Sequence, residues 1–325
     1  MNEKKYSILV TGGAGYIGSH VVLELCDKGH FVTVLDNLST GNKDNVDKRA
    51  KFINGSILNP LDLKNTFKNH FDIVFHFIAL KAAGESMVNP SKYAKLNING
   101  TINLLDQMES NRVKYIIFSS SAAVYGLPKY LPIDENHSLE PINFYGFTKL
   151  EIERVLYWYS KLKGMKFAVL RYFNAAGYDI KNRIIIVEQN VSNLMPVIME
   201  TASGIRGPMK VFGNNYKTKD GTCIRDYIHV SDLASAHIKS MNYILKNNIN
   251  ITLNLATGEG YSVLDIISAA KEITGKNILY DIVDRRMGDP PKIISKTNLA
   301  KKIINWTPKY SKIENILESN WNVYK

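Results

Sequence analysis

The feature that most constrains the fold of this chain is a glycine-rich turn near its start. Residues 8–11, Ile-Leu-Val-Thr, are typical of a buried strand, and they are followed by Gly13, Gly15 and Gly18. Residues 19–28 then carry apolar side chains at helical spacing. Without Cβ atoms, such a turn lets a diphosphate approach the backbone N–H groups at the positive end of the helix. The pattern therefore predicts a nucleotide-binding turn between a strand and a helix.

A carboxylate follows at the position that such a nucleotide site requires. Residues 31–35 predict a second buried strand, and this strand leads directly to Asp36. An acidic residue about 20 positions after the glycines is suited to accept both hydroxyls of an adenosine ribose, and it would repel a 2′-phosphate. We therefore predict NAD rather than NADP as the cofactor. The alternative, a glycine turn that only connects a strand sharply to a helix, leaves Asp36 unexplained.

Strands and helices continue to alternate beyond this turn. Residues 51–54, 72–76 and 115–118 predict strands, and residues 60–69 and 91–109 predict helices. This alternation implies an α/β fold with a doubly wound parallel sheet of Rossmann type. The carboxyl ends of its strands should lie beside the ligand.

The later part of the chain alternates less regularly. It predicts helices at residues 145–163, 191–203, 231–246 and 262–274, and strands at residues 167–171, 209–212 and 251–255. We predict a Rossmann domain that binds NAD at residues 1–174 and a smaller α/β domain that binds the substrate at residues 175–325. The prediction leaves room for the chain to cross back to the first domain.

Composition limits the cellular setting. The chain has 325 residues and is 45% hydrophobic, which is enough for one large core or two moderate ones. We find no apolar run of the roughly 18 residues needed to span a bilayer, and no apolar segment follows the charged first six residues. Cys26 and Cys223 are far apart in sequence, so a structural disulfide is not expected. We therefore expect a cytoplasmic protein that does not associate with membranes.

The charge pattern and the histidines exclude two further classes of site. The formal net charge is +11, but the lysines are scattered, with the densest group at residues 292–312. We therefore expect no binding of nucleic acid, and some of these lysines could attract an anionic substrate. The seven histidines show no spacing typical of a metal site, and none is predicted.

A tyrosine and a lysine begin the helix predicted at residues 145–163. Tyr145 and Lys149 lie four residues apart and therefore share one helix face. An ammonium near a phenol favours the phenolate, so Tyr145 is our candidate general base for a sugar or alcohol hydroxyl. Three serines follow the strand at residues 115–118, and we choose Ser121 as the donor to the reacting oxygen. The alternative is that these serines only cap the strand.

The spacing of Tyr145 and Lys149 is not unique. The same spacing occurs at Tyr125 with Lys129, Tyr157 with Lys161 and Tyr159 with Lys163. The first pair lies in a proline-containing loop, and the other two lie further along the helix. We interpret all three as structural, because only Tyr145 begins a helix that follows the serine cluster.

Further motifs extend over nearly the full length of the chain. One set lies at residues 11–18 (TGGAGYIG), 35–38 (LDNL), 76–77 (HF), 80–81 (LK), 97–101 (NINGT), 119–126 (SSSAAVYG) and 145–149 (YGFTK). A second set lies at residues 171–174 (RYFN), 193–196 (NLMP), 225–230 (RDYIHV) and 285–289 (RRMGD), together with Lys81, Gly84 and Glu85. The first set resembles the extended short-chain dehydrogenase/reductase family, and the second resembles its branch of UDP-hexose 4-epimerases.

The resemblance implies an isomerase that uses NAD to invert C4 of a UDP-hexose through a transient 4-keto sugar. Catalysis is then assigned to Tyr145, Lys149 and Ser121. It implies cofactor binding by Gly12, Gly15, Tyr16, Ile17, Gly18, Asp36, Asn37, Ser56, Ile57, Phe77, Ile78, Lys81, Asn97, Ser119, Tyr145, Lys149 and Tyr172. It implies binding of the nucleotide sugar, in a cleft between the two domains, by Lys81, Ser121, Tyr145, Phe173, Asn174, Asn193, Leu194, Lys210, Val211, Phe212, Arg225, Arg286, Asp289 and Ile293.

Four residues depart from the pattern of that branch. Ser56 stands in place of an aspartate that contacts adenine, Ala123 in place of a threonine near the sugar, and Phe144 in place of a proline. Ile293 falls where some members have a tyrosine that narrows the sugar pocket. We hypothesise that the smaller side chain admits an N-acetyl group at C2, so that UDP-N-acetylglucosamine is also a substrate.

Three other functions share parts of this pattern. A nucleotide-sugar 4,6-dehydratase needs an additional acid and base after the serines, where this chain has Ala122 and Ala123. A decarboxylase of UDP-glucuronate needs a site for the sugar carboxylate, which we cannot locate. A non-catalytic NAD-binding regulator would have no need to retain Tyr145, Lys149 and Ser121. The resemblance also implies a homodimer that pairs the helices predicted at residues 91–109 and 145–163.

Overall fold

The computed structural model describes residues 4–188, 191–286 and 288–325. Met287, which belongs to the motif at residues 285–289, therefore lies outside the described residues. The chain forms two compact units, each built from separate segments. The first unit consists of Met1–Gly126, Ser138–Tyr172 and Ala234–Leu253. The second unit consists of Leu127–His137, Phe173–Leu233 and Asn254–Lys325.

A seven-stranded sheet organises the first unit. With all strands numbered in chain order, it contains β1 (Ser7–Thr11), β2 (Phe31–Asp36), β3 (Lys51–Asn54), β4 (Ile73–His76), β5 (Tyr115–Ser121), β6 (Lys166–Tyr172) and β11 (Ile251–Leu255). The strand order is β11-β6-β5-β4-β1-β2-β3, and the pairs from β6 to β3 are parallel. The order reverses direction at β1 and β4, as in a doubly wound sheet, and ligands bind at such a point. The predicted fold class is confirmed.

The central strands are buried on both faces because helices cover the sheet. Ile8, Leu9 and Val10 of β1 have no exposed surface, and neither do Val74 and Phe75 of β4. Continuous apolar strands of this kind are typical of parallel sheets. The helices of this unit are α1 (Tyr16–Asp27), α2 (Pro60–Thr66), α3 (Ala83–Val88), α4 (Pro90–Tyr93), α5 (Gly100–Ser110) and α6 (Phe144–Lys163), and α8 (Val230–Asn247) continues into it.

Several predicted elements differ from the structure at their ends or within them, and three of these differences bear on the site. Helix α1 begins at Tyr16 rather than at residue 19, because the glycine turn passes directly into the helix. Strand β5 continues through Ser121, since the serines pair with β6 instead of capping β5. The helix predicted at residues 91–109 is divided into α4, a π-helical segment at Ala94–Asn99, and α5.

The second unit contains short strands and four helices. Its paired strands are β7 (Asn174–Ala176), β8 (Met209–Phe212), β9 (Ile224–Arg225), β10 (Tyr227–His229), β12 (Tyr261–Ser262), β13 (Tyr280–Val283) and β14 (Lys292–Ile293). Its helices are α7 (Leu194–Ala202), α9 (Val263–Thr274), α10 (Asn298–Ile304) and α11 (Ile313–Tyr324). The sequence predicted β8. Five of the other strands have only two or three residues, which are too few to show alternation, and the four-residue β13 was missed as well. The helices α3, α10 and α11 were also missed.

Both cysteines are free thiols, and Cys26 is buried on α1. Within the described ranges, no helix has both the length and the apolar character that crossing a bilayer requires.

The glycine turn provides a test of the fold. A Cβ atom added at Gly18 would lie 2.1 Å from the carbonyl oxygen of Gly12. Because this contact joins two backbone segments, no side chain can move to relieve it. We expect Gly18→Ala to lower the free energy of unfolding by about 3 kcal/mol. Chemical denaturation would measure this change.

Gly207→Ala is the matched control, because no atom lies within 4 Å of its added Cβ. We expect its free energy of unfolding to remain within about 0.5 kcal/mol of the parent value. Equal stability of Gly18→Ala and the parent would contradict the interpretation of this close contact.

Candidate active site

The glycine turn and Asp36 form the first part of the site, in the first unit. Gly12 has a positive φ of 79°, and its N–H donates to the carbonyl of Leu35 at 2.9 Å. Gly15 is the N-cap of α1 but has no side chain to cap the helix, so the first-turn N–H groups are not capped by a side chain. This arrangement leaves the positive end of α1 suited to a diphosphate.

Asp36 joins the glycine turn to the loop after β2. Its carboxylate accepts the Ala14 N–H at 3.0 Å and the Leu38 N–H at 2.8 Å, one on each oxygen. Leu38 has a positive φ of 59°, which is uncommon for a residue other than glycine. Each carboxylate oxygen keeps a further lone pair, so Asp36 can still accept the hydroxyls of a ribose. These residues fit the dinucleotide that the sequence predicts.

Ser56 and Ile57 follow β3. The Ser56 hydroxyl oxygen accepts the N–H of Leu58 at 3.2 Å, and the Ser56 N–H donates to Asp62 at 2.9 Å. Ile57 is fully buried in the core, and its carbonyl accepts the amide of Asn103 at 3.1 Å. Only the backbone of Ile57 is therefore suited to contact a cofactor.

The loop after β4 lies against the glycine turn. The Phe77 N–H donates to the carbonyl of Thr11 at 2.9 Å, and the Ile78 nitrogen lies 2.8 Å from where a Cβ on Gly12 would be. Asn97 is fully buried, and its amide bonds both the N–H and the carbonyl of Leu80, at 2.8 and 3.1 Å. Asn97 thus holds the loop that leads to the exposed Lys81.

Lys149 is buried beneath the end of β5. Its ammonium donates to the carbonyl of Ser119 at 2.7 Å and lies 4.9 Å from the centre of the Phe118 ring. Burial lowers the pKa of Lys149 to about 7, although the nearby Glu153 opposes this shift. Burial therefore weakens the preference of Lys149 for its charged form.

Tyr145 lies beside Lys149 and Ser121. The Lys149 ammonium is 5.9 Å from the centre of the Tyr145 ring. Burial raises the pKa of Tyr145, and the nearby Ser121 hydroxyl, which can donate to the phenolate, opposes this shift. The four-residue spacing of Tyr145 and Lys149 does not reveal this cost of burying a phenolate. For Tyr145 to accept a proton, nearby positive charge must therefore lower its pKa.

The start of α6 is fixed by three side chains. Asn143 is the N-cap and accepts the Gly146 N–H at 2.8 Å. From α3, the Ser86 hydroxyl accepts the Tyr145 N–H at 3.0 Å, and the Met87 sulfur accepts the Phe144 N–H at 3.4 Å. Ser86 was not identified from the sequence, because nothing in its spacing relates it to a helix that begins 58 residues later.

Other candidate tyrosines have different surroundings. The Tyr125 hydroxyl accepts a bond from Arg171 at 2.9 Å, and Tyr159 donates to Asp106 at 2.8 Å. Tyr157 is about half exposed, with Lys161 over its ring. Tyr145 is the member of this group that lies near a serine at the end of β5.

Tyr172 ends β6 beside this cluster. Its hydroxyl hydrogen bonds to His237 of α8, and the Ser119 hydroxyl is near enough to oppose the raised pKa of this buried phenol. The His237 ring lies 5.1 Å from the ring of Phe77. His237 thus connects two residues that the sequence assigns to the cofactor, and it was missed because it lies 65 residues after Tyr172.

The second unit contains a separate cluster of charged and aromatic side chains. Arg225 of β9 forms an ion pair with Asp289, and Ile293 of β14 pairs with Arg225 in parallel register. The Arg286 guanidinium lies 3.9 Å from the centre of the Phe212 ring. Two arginines beside a carboxylate and an aromatic ring could bind a phosphate, a ribose and a base.

Tyr216 is a residue of this cluster that the sequence analysis missed. The Arg285 guanidinium lies 4.1 Å from the centre of its ring, and Arg225 and Asp289 are close enough to influence its titration. Its hydroxyl is buried and hydrogen bonds to no other described residue. Tyr216 follows the turn at Gly213, which has a positive φ of 84°, and that glycine was the available signal.

The other predicted substrate residues lie near the ends of elements in this unit. Phe173 donates its N–H to the carbonyl of Leu255 at 3.3 Å, and the amide of Asn174 donates to the carbonyl of Asp226 at 3.0 Å. The remaining ones are exposed Asn193 at the N-cap of α7, Leu194 at its first position, and exposed Lys210 and buried Val211 on β8.

Known proteins resemble the chain over nearly its whole length. UDP-glucose 4-epimerase of Lactobacillus helveticus is 41% identical over 319 residues, which cover 98% of this chain and 97% of that protein. The crystal structure of UDP-glucose 4-epimerase from Brucella ovis in complex with NAD has a TM-score of 0.95 and 38% identity, and it covers 98% of both chains. The UDP-Glc/GlcNAc 4-epimerase from Campylobacter jejuni has a TM-score of 0.85 and 38% identity, with 98% of both chains covered.

A family model gives the same result as these relatives. The model of the NAD dependent epimerase/dehydratase family matches residues 8–256, which is most of the chain. The glycine turn, Asp36 and the group formed by Ser121, Tyr145 and Lys149 all lie within this match. The chain belongs to the NAD dependent epimerase/dehydratase family.

Proposed function

We propose that Tyr145, Lys149 and Ser121 carry out the NAD-dependent epimerisation of a UDP-hexose at C4. The observation that carries this proposal is the grouping of these side chains at the end of β5, where buried Lys149 donates to the Ser119 carbonyl at 2.7 Å and lies 5.9 Å from the centre of the Tyr145 ring, and where Ser121 is near enough to the phenol to lower its pKa. A phenol, an ammonium and a hydroxyl grouped in this way form a proton-transfer group.

In the proposed reaction, Tyr145 accepts the proton of the sugar 4-hydroxyl, and Ser121 donates a hydrogen bond to the same oxygen. Bound NAD supplies the acceptor and donor of the hydride, and its positive charge favours the phenolate. The Lys149 ammonium acts in the same direction. The resulting 4-keto sugar turns and is reduced on its opposite face, and Tyr145 returns the proton.

The residues proposed to hold the cofactor are those of the glycine turn, Asp36 and the loop after β4. The open N-terminus of α1 faces the diphosphate, and Asp36 accepts the ribose hydroxyls. For the UDP group we propose Arg225 and Arg286 at the diphosphate, Phe212 at the uracil and Asp289 at the ribose. The guanidiniums provide planar forks that suit phosphate oxygens.

The residues also argue against the alternatives. Ala122 and Ala123 follow Ser121, so the additional acid and base of a 4,6-dehydratase are lacking at that position. A non-catalytic regulator would gain nothing from bringing Tyr145, Lys149 and Ser121 together, and burying the Lys149 ammonium costs free energy. The grouping therefore favours a catalytic function.

We also propose that the chain works in the cytoplasm. The free thiol of Cys26 is buried on α1, and Cys223 is partly buried without a disulfide partner. Free thiols of this kind are usual in reducing compartments.

The first prediction concerns Tyr145. We expect Tyr145→Phe to lower kcat by about 10²–10⁴-fold, because a general base is lost while the ring is kept. The assay is the conversion of UDP-galactose to UDP-glucose by purified protein without added NAD. Tyr157→Phe is the control on the same helix, and it should keep the parental rate. Parental activity of Tyr145→Phe would exclude the proposed base.

The second prediction concerns the size of the sugar. Ile293 adjoins Arg225 in the second unit, and the similar Campylobacter jejuni protein is named for UDP-Glc and GlcNAc. We expect the parent to form UDP-N-acetylgalactosamine from UDP-N-acetylglucosamine. We expect Ile293→Tyr to lower kcat/KM for that substrate about tenfold or more while activity on UDP-glucose is kept.

Ile293→Leu conserves the side-chain volume and serves as the control, since both activities should persist. If the parent does not act on UDP-N-acetylglucosamine under conditions that convert UDP-glucose, the N-acetyl hypothesis is wrong. If Ile293→Tyr leaves the ratio of the two activities unchanged, Ile293 does not determine it.

The third prediction concerns assembly as a homodimer. Helix α6 exposes Tyr157, Trp158 and Leu162, with 48%, 55% and 70% of their surfaces accessible. We propose that a second copy covers this face, because exposed apolar clusters favour association. Trp158→Glu with Leu162→Glu should convert a dimer to a monomer in sedimentation velocity. Phe31→Glu, which changes an exposed side chain of β2, should leave the dimer intact, and a monomeric parent would contradict the proposal.

A further inference from the structure

A buried ion pair lies next to the proposed catalytic group. Glu153 of α6 and Arg171 of β6 are 9% and 4% exposed. Two parallel hydrogen bonds join them, at 3.0 Å from the Arg171 Nε and at 2.5 Å from its Nη2. A bidentate ion pair fixes the relative geometry of its two side chains, and burying its charges costs free energy. We therefore expect it to have a role that an exposed surface charge would not have.

The pair reaches both ends of the segment that carries Ser121. Glu153 accepts the hydroxyl of Ser120 at 2.5 Å, just before Ser121. Arg171 donates from its Nη1 to the Tyr125 hydroxyl at 2.9 Å, just after the short turn that Ser121 caps. Ser120 and Arg171 are also partners in the register of β5 and β6. Ser121 is thus held between two anchored residues.

The same pair lies one helical turn from Lys149. Glu153 follows Lys149 by four residues on α6, so their side chains share a face. Lys149 bonds the carbonyl of Ser119 while Glu153 bonds the hydroxyl of Ser120. Ser119 and Ser120 of β5 are therefore hydrogen bonded to side chains on adjacent turns of α6.

Charged, titratable and polar groups from four elements surround Lys149. On α6 these are Tyr145 and Glu153, and on β6 there is Arg171, which is paired with Glu153. On β4 there is His76, whose pKa is lowered to about 3 by burial and by Lys149, so His76 is neutral. Strand β5 contributes the Ser119 carbonyl. Glu153 is the negative charge in this set, and it raises the pKa of Lys149.

We propose that Glu153 and Arg171 are positioning residues for the epimerisation, which hold Ser121 on β5 in register with Tyr145 and Lys149 on α6. The inference rests on the proposed function of that group. Neither residue contacts the reacting atoms in this role. They act through Ser120, Tyr125 and Lys149.

The test uses the full-length protein with its NAD. Glu153→Gln alone would leave Arg171 charged and buried without its partner, and it risks unfolding. The double variant Glu153→Leu with Arg171→Met removes both charges at similar volume, and such replacements often keep the fold. Glu153→Asp keeps the charge but is one methylene shorter. Each variant is first checked for its unfolding transition and its NAD content.

We expect the folded double variant to retain NAD but to lose kcat about tenfold to a hundredfold, with little change in KM for the UDP-hexose. We expect the alkaline limb of its kcat profile to move to lower pH. Two charges are removed, and their effects on Lys149 are opposite. Glu153, four residues from Lys149 on the same helix face, is the charge that raises the pKa of Lys149, so its loss outweighs that of Arg171 and the ammonium deprotonates at lower pH. A merely structural pair would not move this limb.

Glu153→Asp should lose kcat through its shorter reach while its alkaline limb stays at the parental position. If that limb moves as far as in the double variant, the charge of Glu153 does not act on Lys149 and the proposal fails. Glu151→Gln is the matched control, since Glu151 pairs with Arg154 on the exposed side of the same helix. It should match the parent in kcat and in pH profile.

The outcomes separate this inference from the proposed function. A folded double variant that holds NAD and keeps the parental kcat and pH profile would overturn the positioning role alone. A parent protein that holds NAD but does not interconvert UDP-hexoses would overturn the proposed function instead.

Discussion

The burial of the Lys149 ammonium beneath the end of β5 is the interaction on which the arrangement of the site depends. An ammonium is costly to bury, and this one is only 2% exposed, so it must be compensated by its neighbours. The Ser119 carbonyl, the Phe118 ring and the charge of Glu153 provide that compensation. Because each comes from β5 or α6, Lys149 can remain charged only when these two elements are correctly packed. The catalytic chemistry and the fold therefore share one set of contacts.

The buried polar groups of the first unit repeat this principle at other strand ends. His76 at the end of β4 bonds the hydroxyls of Thr11 and Thr101, at 2.7 and 2.9 Å. Asn97 bonds both backbone groups of Leu80. Such groups are costly if left unpaired, so they fix the loops that leave the sheet. The irregular backbone that follows these strands is thus held in place by buried side chains.

The second unit is built for a different kind of recognition. Its cluster of Arg225, Asp289, Arg286 and Phe212 combines charge with an aromatic surface, which suits a nucleoside diphosphate. Fewer groups are proposed to act on the sugar 4-hydroxyl, and these, Tyr145 and Ser121, lie in the first unit. Epimerisation requires a firmly held nucleotide and a sugar that can turn, and this division of residues agrees with that requirement.

Patterns in the sequence predicted the fold class and the cofactor, and both predictions are confirmed. They also led to the proposal of Tyr145, Lys149 and Ser121 as the catalytic group. Glycines between a strand and a helix, the position of Asp36, and the four-residue spacing of Tyr145 and Lys149 are local patterns, and local patterns are visible in sequence. The tertiary structure alone decided which distant residues meet. Glu153 of α6 pairs with Arg171 of β6, His237 of α8 hydrogen bonds to Tyr172, and Ser86 of α3 binds the first turn of α6. It also decided the balance of burial and charge on Tyr145, because desolvation depends on packing from several elements at once, and no spacing along the chain encodes it.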